Sequence, residues 1–293
     1  MATIELSSGT VHYRVAGPEE SAAPPVVFVH AFLTDSRLWS RVADDLAERG
    51  IRSYAPDWPL GAHPSAMKAD ADLSPRGVAR LVLEFLDTLG LDEVTLVGND
   101  TGGALCQFAV DEDPRRIGRL VLSNCEGLDV FPPAMFAPLF ALLRSERRVR
   151  FLAGQMRVRA LRQSWLGFGL LAHDLPADLT RSWIEPALSD DGVVRDLVRF
   201  LRAVDSDELL DVSTRLDRFA GPVTLAWGTD DRAFTTKLGR RLQQCFRDAA
   251  FVPVPKSRTF VPLDAPRRLA DEIVAIVARP RVRNERTNGA HGR

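Results

Sequence analysis

Short runs of β-favouring residues alternate with amphipathic segments over most of the chain. Buried-strand patterns, in which apolar residues predominate, occur at 26–29, 51–55, 94–97 and 117–122. Between such runs, apolar residues recur at helical spacing, for example across 75–89. The alternation predicts an α/β fold in which a mostly parallel sheet is flanked by helices on both faces.

The pattern changes in the middle of the chain, where helical periodicity continues without a strand signal until 222–227. We therefore predict a helical cap at 127–210, inserted into an α/β core formed by 1–126 and 211–278. The remaining residues, 279–293, are basic and polar, and we predict that this tail is disordered.

The sequence Gly-Asn-Asp-Thr-Gly at 98–102 lies between a predicted buried strand and a predicted helix. Strand, sharp turn and helix form the context of a nucleophile elbow, in which glycines on both sides allow a tight turn. The turn would raise Asp100 above the sheet, next to backbone N–H groups and the positive end of the helix. The alternative is an ordinary Asp that caps a helix between two glycines.

These residues resemble the α/β-hydrolase superfamily, and within it the branch of haloalkane dehalogenases and epoxide hydrolases, whose elbow carries an Asp nucleophile. The segment 30–39 is similar to the oxyanion loop of that branch, and the resemblance implies that the N–H groups of Phe32 and Thr101 are oxyanion donors. The segment 227–231 is similar to the family's W-G-x-x-D motif, which implies that Asp231 is the triad acid. The resemblance covers nearly the whole chain.

The position that matches the family's catalytic histidine holds Thr259. In this branch, the histidine activates the water that hydrolyses the ester formed on the Asp. None of the chain's five histidines lies between His173 and the tail, so the difference does not depend on the alignment. Because a threonine hydroxyl cannot act as a general base near neutral pH, the sequence predicts a degenerate catalytic triad.

Two further features of the branch are missing. The resemblance implies halide donors from a Trp and an Asn, but Thr101 and Phe32 stand at those positions. Epoxide hydrolases of the branch open the ring with cap tyrosines, whereas Tyr13 and Tyr54, the only tyrosines here, fall in predicted core strands. We therefore expect neither haloalkanes nor epoxides to be turned over at rates typical of the branch.

Three residues are candidate accessory groups, and each has an ordinary structural alternative. His63 follows a strand whose carboxyl end should face the site, so it is either a displaced base or a surface loop residue. His173, in the predicted cap, either hangs over the pocket or faces solvent. Arg258 either lies on the surface or points into the site, where it would offset the repulsion between Asp100 and Asp231.

Length and charge limit the remaining possibilities. A chain of 293 residues, 45% hydrophobic, suffices for one large α/β core with an insert. The net charge of −1 gives no electrostatic basis for binding nucleic acid or an acidic membrane. The sequence shows no metal, nucleotide or flavin motif, so we expect no cofactor. Without a signal-peptide pattern or a bilayer-length apolar run, we expect a cytoplasmic protein, and a homodimer stays open.

Three functions stay open on the sequence alone. The first is an atypical hydrolase of a small, largely apolar organic molecule, centred on Asp100, with water activated by Asp231 or a displaced histidine. The second is a non-hydrolytic lyase, isomerase or cyclase in which Asp100 acts as general acid or base. The third is a small-molecule-binding pseudoenzyme. Incorporation of oxygen from labelled water distinguishes the first function from the second.

Overall fold

One eight-stranded sheet forms the centre of the protein, in the order β1-β2-β4-β3-β5-β6-β7-β8. The computed structural model describes residues 1–279, so the predicted disordered tail, apart from its first residue, lies outside the described residues. Strands β1 and β2 form an antiparallel edge, and the strands from β4 to β8 run parallel. The strands are β1 Ala2–Leu6, β2 Gly9–Ala16, β3 Val26–Val29, β4 Ser53–Pro56, β5 Val94–Asp100, β6 Ile117–Cys125, β7 Val223–Gly228 and β8 Ala249–Val254.

Helices cover both faces of this sheet, which confirms the predicted α/β-hydrolase architecture. The helices are α1 Ser40–Glu48, α2 Pro75–Thr88, α3 Thr101–Glu112, α4 Ala137–Leu143, α5 Glu146–Gln155, α6 Arg159–Arg162, α7 Ala177–Ser189, α8 Asp191–Ala203, α9 Ser206–Ser213, α10 Thr236–Gln243, α11 Val261–Asp264 and α12 Pro266–Val277. Helices α2 and α3 pack on one face of the sheet, and α1 and α12 pack on the other. Two apolar layers therefore enclose the central strands β3, β5, β6 and β7, which explains why these strands are buried on both sides, whereas the edge strand β8 is partly exposed.

Helix α2 shows how local sequence produces these elements. The Ser74 side chain caps its first turn by accepting a hydrogen bond from the Gly77 N–H, and Pro75 supplies a preset φ at the first helical position. Val78, Val82 and other apolar side chains at helical spacing are buried in the core.

Helices α4 to α9 form a helical insert between β6 and β7, and in the described chain this insert contains no strand. The predicted boundary of the cap at residue 210 falls inside α9, which runs from Ser206 to Ser213. The helix continues past that boundary because Leu209 and Val212, three positions apart, are both fully buried.

The insert packs over the carboxyl ends of the strands through aromatic contacts. Phe32, which follows β3, lies 5.1 Å between ring centroids from Phe140 of α4. On the other side, Trp183 of α7 lies 5.8 Å from Phe260, which precedes α11. Aromatic pairs at these separations stabilise the packing beyond their buried area alone. The insert thus encloses the space above the β5–α3 turn.

Candidate active site

The turn between β5 and α3 holds Asp100 in a strained backbone conformation, with φ 55° and ψ −131°. A Cβ on Gly102 would lie 2.1 Å from the Val29 carbonyl oxygen, and a Cβ on Gly98 would lie 2.6 Å from the Gly102 carbonyl oxygen. Both glycines are therefore required by close backbone approach. The turn places the Asp100 side chain at the top of the sheet, as a nucleophile elbow requires.

Two backbone N–H groups hold one oxygen of Asp100. The Oδ1 atom accepts hydrogen bonds from the Thr101 N–H at 2.6 Å and from the Phe32 N–H at 3.4 Å. Asp100, Phe32 and Thr101 thus lie together at the carboxyl ends of β3 and β5. Because both N–H groups bind Oδ1, Oδ2 is the oxygen left to meet a substrate.

Burial raises the pKa of the Asp100 carboxyl to about 6. The hydrogen bonds from Thr101 and Phe32 favour the charged form and limit this rise, while the nearby charge of Asp231 adds to it. The carboxylate is therefore mostly ionised at pH 7, where it can act as a nucleophile or as a base.

A second carboxyl group, Glu126, stands beside Asp100. Glu126 directly follows β6, the neighbour of β5 in the sheet, and only 1% of its surface is exposed. The Thr101 hydroxyl lies 3.3 Å from Glu126 Oε1, whereas Oε2 has no hydrogen-bond partner among residues 1–279. Burial, and then the charge of Asp100, raise the pKa of Glu126 well above its usual value.

Glu126 was not predicted as a site residue from the sequence, where it only marked the boundary between the core and the insert. A usable signal was present, because a carboxylate that directly follows a buried parallel strand lies at the sheet edge where ligands bind.

Asp231 and Thr259 form a closed hydrogen-bonded unit next to this site. The Thr259 hydroxyl donates to Asp231 Oδ2 at 2.8 Å, and Asn124 Nδ2 donates to the same oxygen at 2.9 Å. Oδ1 accepts from the N–H groups of Ala233 at 2.8 Å and Phe234 at 3.1 Å. The Asp231 carboxylate is thus fully engaged, and burial raises its pKa. The Thr259 hydroxyl thus donates to Asp231 the hydrogen bond that the N–H of a triad histidine would donate to its acid.

Neither of the candidate histidines lines the cavity above Asp100. His63 is buried rather than at the surface; its Nδ1 accepts from the Gly61 N–H, and its Nε2 lies 3.5 Å from Asp196 Oδ2. The half-exposed His173 has its Nε2 3.2 Å from Asp230 Oδ2. Both rings are therefore engaged in contacts outside the cavity wall.

Arg258 does not reach the two carboxylates of the proposed triad. Its Nη1 donates to the Gly169 carbonyl at 2.8 Å, and its backbone N–H donates to Asp264 Oδ2 at 2.9 Å. The guanidinium thus ties the insert to the segment before α11, and it is not part of the cavity wall. It is therefore not placed to offset the charges of Asp100 and Asp231.

The cavity above Asp100 has a volume of about 380 Å³ and lies between the core and the insert. Its wall is mostly aromatic and aliphatic, with Phe32, Phe140 and Trp183 among its residues. Asp100 and Glu126 provide its only carboxyl groups within the described chain. A small, largely apolar molecule suits such a space. Across residues 1–279, no three His, Cys, Asp or Glu side chains are grouped to hold a metal ion.

None of the helices in the described chain is long and apolar enough to cross a membrane.

Comparison with known proteins places this geometry in a family. Residues 24–266 match the α/β-hydrolase fold family. The chain is 28% identical over 283 residues to haloalkane dehalogenase 2 of Mycobacterium tuberculosis, covering 92% of each chain. It is 27% identical over 256 residues to a 2-hydroxy-6-oxononadienedioate/2-hydroxy-6-oxononatrienedioate hydrolase of Paraburkholderia phymatum, covering 84% of each.

Solved structures show the same fold. The epoxide hydrolase CorEH superposes with a TM-score of 0.78 at 18% identity, over 94% of this chain and 98% of that one. An α/β-hydrolase fold protein from Burkholderia ambifaria superposes with a TM-score of 0.77 at 23% identity, over 94% and 97% of the two chains. The chain belongs to the α/β-hydrolase fold family, and its relatives include haloalkane dehalogenases.

Proposed function

We propose that this protein is an atypical hydrolase that attacks a small, largely apolar organic molecule with Asp100. The observation that carries the proposal is the asymmetric setting of the Asp100 carboxylate. Oδ1 is held by the N–H groups of Phe32 and Thr101, while Oδ2 is left for the substrate in an apolar cavity of about 380 Å³. A fixed, desolvated carboxylate of this kind is suited to nucleophilic attack on an electrophilic carbon.

The oxyanion N–H groups support a second step as well. Attack by Asp100 would form an ester whose carbonyl oxygen already lies between the two N–H donors. When water adds to that carbonyl, the negative charge develops on an oxygen that needs no repositioning. Donors aligned in this way before the reaction typically lower a barrier by about 3–4 kcal/mol each. The names of the relatives, a dehalogenase and an epoxide hydrolase among them, agree with such an ester route.

The side chains around Asp100 argue against halide as the usual leaving group. Phe32 offers only its ring to the cavity, and the Thr101 hydroxyl contacts the carboxyl of Glu126. Tyr13 and Tyr54 lie in β2 and β4, so they supply no acid from the insert. The chain is thus not a typical haloalkane dehalogenase or epoxide hydrolase, and its substrate carries a different leaving group or is opened by a different acid.

Mass spectrometry of the Asp100 peptide tests the proposal. The reactive probe 4-nitrobenzyl bromide alkylates a desolvated carboxylate and releases bromide without needing a proton. We expect the peptide that contains Asp100 to gain one nitrobenzyl group within a few minutes, and the Asp100→Asn variant to gain none. Labelling of both proteins to the same extent would show that Asp100 is not the reactive group.

A non-hydrolytic proton transfer is the second candidate, because two carboxyl groups with different proton affinities share one largely apolar cavity. Asp100 would then remove a proton from the substrate and Glu126 would supply one, as in an isomerase. A substrate that is converted in H₂¹⁸O without uptake of the label would favour this candidate over hydrolysis.

A further inference from the structure

We propose that Glu126 is a catalytic residue, the acid–base partner of Asp100, and that its carboxyl group performs the proton transfers for which this chain has no histidine. This inference rests on the proposed function. It also implies a substrate class, since a carboxylic acid that donates a proton assists an oxygen leaving group and not a halide.

The free oxygen of Glu126 is the first observation. Glu126 is almost completely buried and belongs to the cavity wall, yet Oε2 has no hydrogen-bond partner in residues 1–279. Buried polar atoms in native proteins are nearly always paired, so an unpaired one on a side chain that lines a cavity points to a ligand or a water. A substrate oxygen, or the water that follows it, would take this place.

The connection between the two carboxyl groups is the second observation. The Thr101 hydroxyl lies 3.3 Å from Glu126 Oε1, and the same side chain helps to lower the pKa of the adjacent Asp100 carboxyl. A hydroxyl donates one proton and accepts another, so it can link a protonated Glu126 to an ionised Asp100. Thr101 thereby offers a path for a proton between the two acids.

The charges around Glu126 support a neutral carboxyl in the resting enzyme. The titratable groups that face it are Asp100 at the end of β5, Cys125 in β6 and Asp231 after β7, and none of them is a cation. Burial and the Asp100 charge both raise the pKa of Glu126. When Asp100 becomes an ester, its charge disappears and the pKa of Glu126 falls, so Glu126 changes from acid to base at the right stage.

With Glu126 in this role, every proton and bond in the reaction is accounted for without another side chain as acid or base. Asp100 Oδ2 bonds to the substrate carbon, the carbon–oxygen bond of the substrate breaks, and Glu126 protonates the departing oxygen. The Glu126 carboxylate next takes a proton from water while the water oxygen bonds to the ester carbonyl. The Phe32 and Thr101 N–H groups hold the oxyanion.

Collapse of that intermediate completes the cycle. The ester bond breaks, Glu126 returns its proton to the alkoxide, and the proton remaining on Asp100 passes to Glu126 through the Thr101 hydroxyl. One water is consumed, and both carboxyl groups return to their first state. The other acid nearby, Asp231, is already engaged by four donors, so it is not available for these transfers.

The test follows two probes on wild type and on Glu126→Gln, an isosteric change that keeps an acceptor for Thr101. With 4-nitrobenzyl bromide, which needs no acid, we expect the Asp100 adduct to form within about tenfold of the wild-type rate. Loss of the adduct by hydrolysis should slow by about 100-fold or more, since a general base contributes about 10²–10⁴. With styrene oxide, which needs a proton on its oxygen, adduct formation should itself slow to a similar degree.

The pH dependence gives a readout that a purely structural role would not produce. In wild type, styrene oxide opening should fall with rising pH above the range in which Asp100 ionises, and ester hydrolysis should rise, because opening uses the acid form of Glu126 and hydrolysis uses its base form. In Glu126→Gln, both the fall of styrene oxide opening and the rise of ester hydrolysis should disappear. Glu126→Asp should restore part of each pH dependence. Thermal melting of each variant shows whether it is folded.

The outcomes separate the two proposals. Hydrolysis of the nitrobenzyl ester by Glu126→Gln at the wild-type rate would overturn the role of Glu126 and leave Asp100 as the nucleophile. Absence of any adduct on both wild type and Glu126→Gln would overturn the proposed function itself, and the role of Glu126 with it.

Discussion

At the scale of single residues, Asp100 carries two unfavourable features, a left-handed backbone and a buried charge. Its folded-state pKa of about 6 lies above the value of 3.8 for an exposed Asp. Between these two pH values the folded state binds more protons than the unfolded state, so stability falls as pH rises. Above pH 6 the ionised carboxylate therefore destabilises the fold, which is typical of a functional group.

Because the ionised Asp100 carboxylate destabilises the fold, Asp100→Asn should change the unfolding free energy. The amide keeps an oxygen for the two N–H donors but removes the buried charge, so we expect a gain in unfolding free energy of about 1–3 kcal/mol at pH 7. Near pH 4 the gain should be much smaller, because Asp100 is then protonated in the folded state. Urea unfolding at both pH values measures it, and a loss of stability at pH 7 would contradict the assignment.

The same pKa predicts how the rate of adduct formation on Asp100 falls at low pH. Only the ionised form of Asp100 is nucleophilic, so the rate of adduct formation with 4-nitrobenzyl bromide should be constant above about pH 7. Below pH 6 it should fall roughly tenfold per unit, following the pKa of about 6. Quenched-flow mass spectrometry from pH 4.5 to 8 gives the profile. A midpoint near 4 would mean that the carboxylate is solvated.

At the scale of elements, three adjacent parallel strands end in acids at one edge of the sheet. Asp100 is the last residue of β5, Glu126 directly follows β6, and Asp231 lies three residues after β7. The sequence indicated the first and third through motifs. It did not indicate the second, because the apolar pattern of β6 stops at Leu122 while the strand continues to Cys125.

The polar end of β6 explains why the strand extends beyond its apolar pattern. Asn124 is fully buried, which periodicity alone does not predict, and it is stabilised by partners far along the chain. Its Oδ1 accepts from the Gly228 N–H, and its Nδ2 donates to Asp231. Such long-range hydrogen bonds are invisible to local pattern, whereas the elbow around Asp100 is a local feature and was predicted.

The closed pair of Asp231 and Thr259 predicts the effect of introducing the family's base. Thr259→His in a Glu126→Gln background should place an imidazole against Asp231 and increase hydrolysis of the nitrobenzyl ester at least tenfold. The larger side chain should lower the unfolding free energy by about 1–3 kcal/mol, because Thr259 is fully buried.

Measurement of adduct loss checks this effect, with Asp231→Asn added as the control that removes the orienting carboxylate. Equal rates with and without Asp231 would show that the acid does not orient a ring at position 259.

At the scale of the whole molecule, the insert and the core together form the wall of the cavity above Asp100. Ala153 of α5 belongs to the cavity wall, so Ala153→Phe should reduce the space of about 380 Å³ without touching Asp100. We expect adduct formation with 4-nitrobenzyl bromide to slow at least tenfold, and with the smaller bromoethane to change less than threefold.

Gly154, the next residue of the same helix, provides the matched control. A Cβ at this position meets nothing within 4 Å, so Gly154→Ala should leave both rates unchanged. Equal slowing of the small and the large probe by Ala153→Phe would indicate that the variant disturbs the site and does not merely narrow the cavity.

The alternation of strands and helices, the position of the insert and the elbow were all accessible from the sequence, because each is encoded by local pattern. The side chains that line the cavity could not be predicted from the sequence. Which side chains of the insert face Asp100, and whether His63 reaches it, depend on how distant segments pack. His63 is drawn into a buried contact with Asp196 of α8, which no spacing in the sequence reveals.

The most direct test of the central claim is a single turnover of wild-type enzyme in H₂¹⁸O, followed by mass spectrometry of the peptide that contains Asp100. If Asp100 forms an ester and water attacks its carbonyl, one labelled oxygen should remain in the Asp100 carboxylate after the adduct is lost. Label found only in the released alcohol, with none in Asp100, would mean that water attacks the substrate directly and would contradict the proposed route.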